Sequence, residues 1–316
     1  MNIFVAGASG CLGSAVARSL KADGHYVTGM AHHKSQAGTV EETGASVVVG
    51  DLLEPGPWQD AVRDSDMVVS LCSPMKPWER LSFPEARRRS YHHGQMVGNI
   101  FLAAQGAKVR GVLVSYGVLG YGDRGDALVP EHGEIDPKGY ERAITGAYWH
   151  IDKTSRKTKV PLVNVFTGWV YGPHSAWFER TVRGIRDGSA KVVGDGSNYM
   201  SLIHIDDVAA AYSRMVEDMP LGERICLVDG DPVTQRELME FTAGCMGCAA
   251  PELIDRDSYA RLAGDLAAES MTTSVRMTAE RTRRVLGLEL KYPSYRVGIP
   301  PTVEAMAQPA KEEKAA

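Results

Sequence analysis

Gly7, Gly10 and Gly13 are spaced to hold a phosphate group. They lie in Gly7-Ala8-Ser9-Gly10-Cys11-Leu12-Gly13, directly after the apolar run Ile3-Phe4-Val5-Ala6. Glycine lets the backbone turn tightly and approach a pyrophosphate with no Cβ in the way. Leu12, Ala15, Val16 and Leu20 then follow at helical spacing, so the turn opens a helix. A helix N-terminus presents unpaired N–H groups and partial positive charge to an anion. Strand, glycine turn and helix start together predict a dinucleotide cradle built on Gly7, Ser9, Gly10, Cys11, Leu12 and Gly13.

Other chemistry-bearing patterns have simpler explanations. Cys245-Met246-Gly247-Cys248 is a lone CxxC with no second ligand pair, so no metal is expected. Adjacent Asp206 and Asp207 open a helical stretch carrying Val208, Ala211, Tyr212, Met215 and Val216, and are expected to serve as capping or first-turn carboxylates. His204 is expected to satisfy a structural hydrogen bond.

The elements that must position the cradle are strands alternating with helices. Strands are predicted at Asn2–Ala6, Tyr26–Met30, Ser46–Val49, Met67–Leu71, Val112–Ser115 and Leu162–Phe166. Short apolar runs of this kind suit strands buried on both faces. The helical stretch carrying Val97, Ile100, Phe101 and Ala104 is the clearest of those between them. Alternating βαβ units predict an α/β fold, a Rossmann-type doubly wound parallel sheet. After Phe166 the texture changes to turn-rich loops, Gly168–Pro173 and Gly194–Asn198, then helices with short strands. The expected organisation is a Rossmann domain at 1–166, with 200–230 contributing back to it. A smaller mixed α/β C-terminal substrate lobe is expected from 167–200 and 231–302, followed by a disordered tail at 303–316.

The chain has 316 residues, 44% of them hydrophobic, enough to build such cores. Its net charge is −4, with no basic stripe, so a nucleic-acid partner is not expected. No apolar run reaches the roughly 20 residues that span a bilayer, so no membrane partner is expected. Five cysteines without framework spacing, and an N-terminus that runs straight into a strand, predict a cytoplasmic protein.

With these motifs in order, the chain resembles the extended short-chain dehydrogenase/reductase family, the epimerase/dehydratase group. The resemblance runs from about Met1 to about Pro300. It rests on the glycine turn, on Gly50-Asp51-Leu52 after the third strand, and on Ser70-Leu71-Cys72-Ser73-Pro74. It also rests on Val170-Tyr171-Gly172-Pro173, on Leu202-Ile203-His204-Ile205-Asp206-Asp207-Val208-Ala209 and on Val228–Thr234 followed by Glu237-Leu238. The resemblance implies hydride transfer between a nicotinamide and a carbonyl or hydroxyl carbon of a small molecule, as a reductase or an epimerase. It implies cofactor contacts from Asp51, Leu52, Cys72, Ser73, Pro74, Tyr171 and Lys153, the last orienting the ribose, and a homodimer through helices corresponding to Ser90–Gln105 and Tyr148–Thr158. At the end of the second strand, NAD binders place an acidic residue. Here that slot is Ala31, followed by His32, His33 and Lys34, so NADP(H) is expected, with NAD as the alternative.

The resemblance breaks at the catalytic positions. The family places a phenol four residues before a lysine, so that the ammonium tunes the phenol. In Ala147-Tyr148-Trp149-His150-Ile151-Asp152-Lys153, Lys153 fits, but Trp149 stands four before it and Tyr148 five. The family's helix Asn aligns with His93, and the hydroxyl candidates after the fifth strand are Ser115 and Tyr116. Three readings follow. A helix irregularity brings Tyr148 onto the Lys153 face, with Ser115 as oxyanion partner; or His93, His150, Tyr116 or Tyr140 donates the proton instead; or the fold binds a dinucleotide without hydride chemistry, as a regulator, lyase or isomerase. Trp169, Trp177, Phe178 and Tyr199 are candidates for an aromatic substrate pocket, His174 for substrate contact, and Arg180, Arg183 and Arg276 for binding an anion.

Overall fold

β1 (Asn2–Ala6), β2 (Tyr26–Ala31), β3 (Ser46–Val49), β4 (Met67–Ser70) and β5 (Val112–Gly117) form a parallel sheet with the Leu162–Thr167 and Arg224–Leu227 strands. This computed structural model describes residues 1–73, 80–137 and 139–307. The strand order is β3-β2-β1-β4-β5, then Leu162–Thr167, then Arg224–Leu227 at the far edge. Strands such as Phe4-Val5-Ala6 and Met67-Val68-Val69 are wholly buried, as expected where helices cover both faces. The six strands expected from sequence are present, with ends shifted by at most two residues. The seventh, Arg224–Leu227, pairs with Asn164–Thr167.

The sheet has two differently built faces. On one, helix α1 (Cys11–Ala22) and the Ile205–Asp218 helix pack together over Val5, Val69, Leu113, Val163 and Val165. On the other, the Phe83–Ala104 and Gly139–Thr158 helices cover Phe4, Val68, Val112 and Val114. These two helices approach closely because Gly94 and Gly98 make room for His150. A Cβ at Gly98 would stand 3.2 Å from its Nε2. All strands run parallel, but their order reverses at β1, with β2 and β3 on one side and β4 and β5 on the other, which opens a crevice at their carboxyl ends.

Beyond the sheet, local structure departs from expectation at Trp169–Tyr171 and at residues 303–307. Trp169–Tyr171, expected within a loop, is a short strand paired with Leu202–His204. The Ile205–Asp218 helix carries Asp206 and Asp207 in its first turn, as expected, and is capped by His204, whose Nδ1 accepts from the Asp206 N–H at 3.1 Å. The buried Asp207 accepts from the Lys291 and Tyr292 backbone N–H groups at 2.7 and 3.0 Å. Residues 303–307, expected in the disordered tail, end the Tyr295–Ala307 helix with Val303 buried. The rest of that tail, together with Pro74 and the Tyr140 side chain, lies outside the described residues.

Candidate functional site

Gly7 leaves β1 with φ +83°, a conformation that L side chains rarely adopt. Its carbonyl accepts from the Gly10 N–H at 3.0 Å, closing the turn, and α1 begins at Cys11. A Cβ at Gly13 would stand 2.0 Å from the Gly7 oxygen, and one at Gly7 2.8 Å from the Cys72 nitrogen. The turn after β1 and the chain leaving β4 therefore touch at the crevice, at a distance only glycine permits. No side chain caps α1 and no acidic residue stands in its first turn. Its N–H groups and helix dipole are left for an anion, which a dinucleotide pyrophosphate supplies. Burial pushes the Cys11 thiol up to about 11, with Glu179 adding and Arg18 opposing, so it stays neutral beside the cradle. Ser9 and Leu12, half-buried, complete the turn.

Across the sheet, β2 ends at the buried Ala31, and His32, His33 and Lys34 follow on the surface. The structure brings His32 and Asp51 together, with Nε2 3.5 Å from Oδ2. The other Asp51 oxygen accepts from the Leu53 N–H at 2.9 Å, and the His32 and His33 ring centres lie 4.1 Å apart. Leu52 is buried, and its carbonyl accepts from Asn99 Nδ2 at 2.7 Å, tying this loop to the Phe83–Ala104 helix. Where β4 ends, burial raises the Cys72 thiol, which lies 3.3 Å from the Ser70 hydroxyl. Ser73 follows in the chain. His93 is buried nearby with its Nε2 unpartnered. Burial lowers it to about 4, against the Cys72 backbone, which favours the charged form.

The catalytic positions are arranged differently from the first of the three readings. The Gly139–Thr158 helix is α-helical throughout, with no bulge. Tyr148 and Lys153, five residues apart, therefore diverge by about 140° around its axis. Tyr148 is half-buried against Tyr116 and Phe166, at ring distances of 5.3 and 6.0 Å. Lys153 is exposed, so the structure does not bring the two together. The residue that shares the Tyr148 face is Asp152, four positions on, which pairs with Arg156 at 2.9 Å. The cation beside the Tyr148 phenol is Arg224. Burial disfavours the Arg224 charge, while the Tyr121 and Tyr148 phenols beside it outweigh that and raise its pKa. Its Nη1 donates to the Gly133 carbonyl at 2.6 Å, and its guanidinium lies 5.7 Å from both the Tyr121 and Phe166 ring centres.

Ser115 is a correction of the same kind. Side chains alternate along β5, so Leu113 and Ser115 point to one face while Val114 and Tyr116 point to the other. Ser115 lies beside the Tyr212 phenol of the Ile205–Asp218 helix, on the face opposite Tyr148. Tyr116 is on the Tyr148 face. Its hydroxyl is buried and unpartnered, and burial, with Tyr148 and Asp152 adding, pushes it far above the ordinary tyrosine range. Tyr171, expected at the cofactor, is a core residue: its side chain is wholly buried under the Tyr295–Ala307 helix, where a Cβ on Gly298 would collide with its hydroxyl. Trp169 and Trp177 lie 5.2 Å apart, and the exposed His174 stands 4.0 Å from Glu179. The Arg276 guanidinium covers the Tyr199 ring at 4.9 Å. Sequence reasoning missed two groups. Asp152 was visible by its spacing to Tyr148, whereas Arg224 reaches the phenol only through the edge strand.

The profile of the NAD dependent epimerase/dehydratase family matches residues 3–226. Among curated proteins, the chain is 23% identical over 309 residues to a 3-diazoavenalumate denitrifying reductase from Streptomyces, covering 95% of this chain and 99% of that one. It is 24% identical over 262 residues to a 2-alkyl-3-oxoalkanoate reductase from Stenotrophomonas maltophilia, covering 78% and 76%. The human epimerase family protein SDR39U1, solved with NADPH, superposes with a TM-score of 0.80 at 17% identity, covering 96% of this chain and 99% of that one. A UDP-glucuronic acid 4-epimerase from Bacillus cereus, solved with UDP-glucuronic acid and NAD, gives 0.79 at 16%, covering 96% and 98%. A family profile spanning most of the chain, the parallel sheet and the glycine turn at its switch point lead to one assignment: the chain belongs to the NAD-dependent epimerase/dehydratase family.

Proposed function

We propose that this protein is an NADP(H)-dependent reductase that delivers hydride to a carbonyl-type carbon of a small organic molecule. The observation that carries the cofactor half is the glycine turn with its uncapped helix, where a Cβ at Gly13 would meet the Gly7 oxygen at 2.0 Å. The choice of the phosphorylated dinucleotide is supported by Ala31 in the slot where a carboxylate would repel it, followed by His32, His33 and Lys34. Relatives named as reductases support the reaction type, and of the structural neighbours one was solved with NADPH and another with NAD.

The bound nicotinamide supplies the hydride, and the remaining work falls to the chain. Tyr148 donates the proton to the substrate oxygen, with Arg224 as the fixed cation beside its phenol in place of the family's lysine. Lys153 is left outside this step. The 167–200 and 231–302 segments hold the substrate over the sheet. The chain works as a cytoplasmic homodimer, paired through the Phe83–Ala104 and Gly139–Thr158 helices. Tyr91, Leu102 and Trp149 stay exposed on them, beside a groove of about 460 Å³ that includes Tyr91 and His150. The test is NADPH oxidation across a panel of ketones and aldehydes. Turnover that Tyr148→Phe abolishes and Lys153→Ala leaves intact is the expected result.

A second reading has its own support: Lys153 exposed, and Ser115 turned to the opposite face. A chain with those features could bind a dinucleotide as a non-redox protein. Tight NADPH binding with no turnover on any panel member would favour it.

A further inference from the structure

We propose that the groove between α1 and the Ile205–Asp218 helix is a second ligand site, which takes a small organic carboxylate. The groove holds about 410 Å³, within the range of roughly 300–1,000 Å³ usual for small-molecule sites. It lies on the α1 face of the sheet, opposite the face on which Tyr148 packs against Tyr116. Its lining includes Cys11 but none of Gly7, Ser9, Gly10 or Gly13, so it adjoins the dinucleotide cradle without being part of it.

Small side chains make the room. Ala15 on α1 and Ala209 on the facing helix line the gap, together with Ile205 and Pro173. The two helices meet again further along, where the Ser19 and Ser213 hydroxyls lie 2.9 Å apart. Ile205 and Ala209 are buried, and burial pushes the Cys11 thiol up to about 11, so this part of the lining is apolar or neutral. Charge stands at the rim. Lys291 and Asp206 neutralise each other, with Nζ 3.0 Å from Oδ2. Arg18 forms no ion pair among the described residues. Its Nη2 donates to the Ser14 hydroxyl at 3.3 Å, and a guanidinium carries further donors in a planar fork that suits a carboxylate. Glu179 lies 4.0 Å from His174, outside the lining. An apolar interior under one uncompensated cation favours an apolar body that carries a single negative charge.

The experiment is a saturation-transfer NMR titration of the full chain near pH 8, where an ordinary imidazole is neutral. The probe is benzoate, with benzamide as its uncharged counterpart. Benzoate is expected to bind with a dissociation constant of about 1 mM, and benzamide about tenfold more weakly. Arg18→Gln should weaken benzoate about tenfold and bring it level with benzamide. Ala209→Leu, which fills the gap, should abolish binding of both. Arg18 is exposed, so Arg18→Gln carries the test even where the leucine disturbs the helix pair, and an unchanged unfolding midpoint verifies its fold. Saturating NADPH should alter benzoate affinity by less than about threefold. Seven residues of helix, about 10 Å, separate Arg18 from the start of α1, and salt screens charges over about that distance. Benzoate binding that Arg18→Gln leaves unchanged overturns the proposal, as does equal affinity for benzamide or no binding at about 10 mM. Displacement of benzoate by NADPH also overturns it, by placing the probe in the dinucleotide cradle, and leaves the cofactor assignment standing.

Discussion

The glycine turn and the Gly139–Thr158 helix border the same end of the sheet but are specified by different physics. At Gly7 and Gly13 the backbone itself is the constraint. Any side chain collides with main-chain atoms, and the conformation at Gly7 is costly for other residues. On the helix every position is sterically available, and function depends on rotation: one residue moves a side chain by about 100°. The first region can be recognised from residue types alone. The second can keep a lysine and a tyrosine within two turns and still separate them.

The largest effect should come from breaking the turn. Gly13→Ala places a Cβ 2.0 Å from the Gly7 oxygen, an atom held by the Gly10 N–H. We expect NADPH binding to fall by at least about a hundredfold and stability by about 3 kcal/mol, read by calorimetry and thermal unfolding. Gly10→Ala is the control, because its Cβ meets the same oxygen at 3.3 Å, which a small shift relieves. A loss from Gly13→Ala as small as that from Gly10→Ala would mean that the turn is pliable and that its geometry does not select glycine.

The helix should respond by face. Tyr148→Phe is expected to lower kcat about a hundredfold or more, the usual scale for a lost general acid, with the NADPH dissociation constant unchanged. Lys153→Ala should stay within about twofold, since the ammonium is exposed and turned away from the phenol. Arg224→Met should fall between them and shift the pH profile of kcat, because it removes the cation beside Tyr148. A Lys153→Ala defect as deep as that of Tyr148→Phe would restore the lysine to the reaction and sink the assignment of Arg224.

This contrast explains what the sequence disclosed. Six strands were legible because strands buried on both faces are continuous apolar runs. The glycine turn was legible because its requirement is local. Ser115 was not, since neighbouring residues on a strand face opposite ways and one step of register exchanges Ser115 for Tyr116. Lys153 was not, because the choice between it and Asp152 is a rotation that only packing decides. Tyr171 follows a recognisable motif, yet the Tyr295–Ala307 helix, which encloses it, comes from far along the chain. Arg224 carries no local signature, and the pairing of its strand with Leu162–Thr167 brings it to Tyr148.

Stability against pH should separate the crevice from the region beyond it. Burial holds His93, beside β4, and His204, at the Ile205–Asp218 cap, down to about 4. Unfolded histidine takes up its proton near pH 6.5, so between about pH 6.5 and 4 the unfolded state binds more protons and stability falls on acidification. Asp229 has the opposite sign. It is buried with Oδ2 unpartnered, and burial raises it to about 8. From about pH 4 to 8 the native state holds its proton and the unfolded state does not, so stability falls as pH rises. Two histidines outweigh one aspartate below pH 6.5, which places the maximum near that value. Denaturant unfolding should show it, and Asp229→Asn should remove the alkaline decline, worth about 2 kcal/mol by pH 8.5. A decline that persists in the variant would assign it elsewhere.

The smallest expected effect tests the two faces of the sheet most directly. Ser115 stands where a family hydroxyl would meet substrate, yet its side chain lies beside Tyr212 on the face that carries α1. Ser115→Ala should therefore cost at most about 1 kcal/mol of stability, since the hydroxyl is half-buried, and leave kcat/KM unchanged. Tyr116→Phe, one residue on and on the opposite face, should behave differently. Its buried hydroxyl has no hydrogen-bond partner, so removing it should cost little stability or even add some. A fall in kcat/KM with Ser115→Ala, at unchanged stability, would mean that the hydroxyl reaches the crevice, and the two faces would no longer divide structure from chemistry.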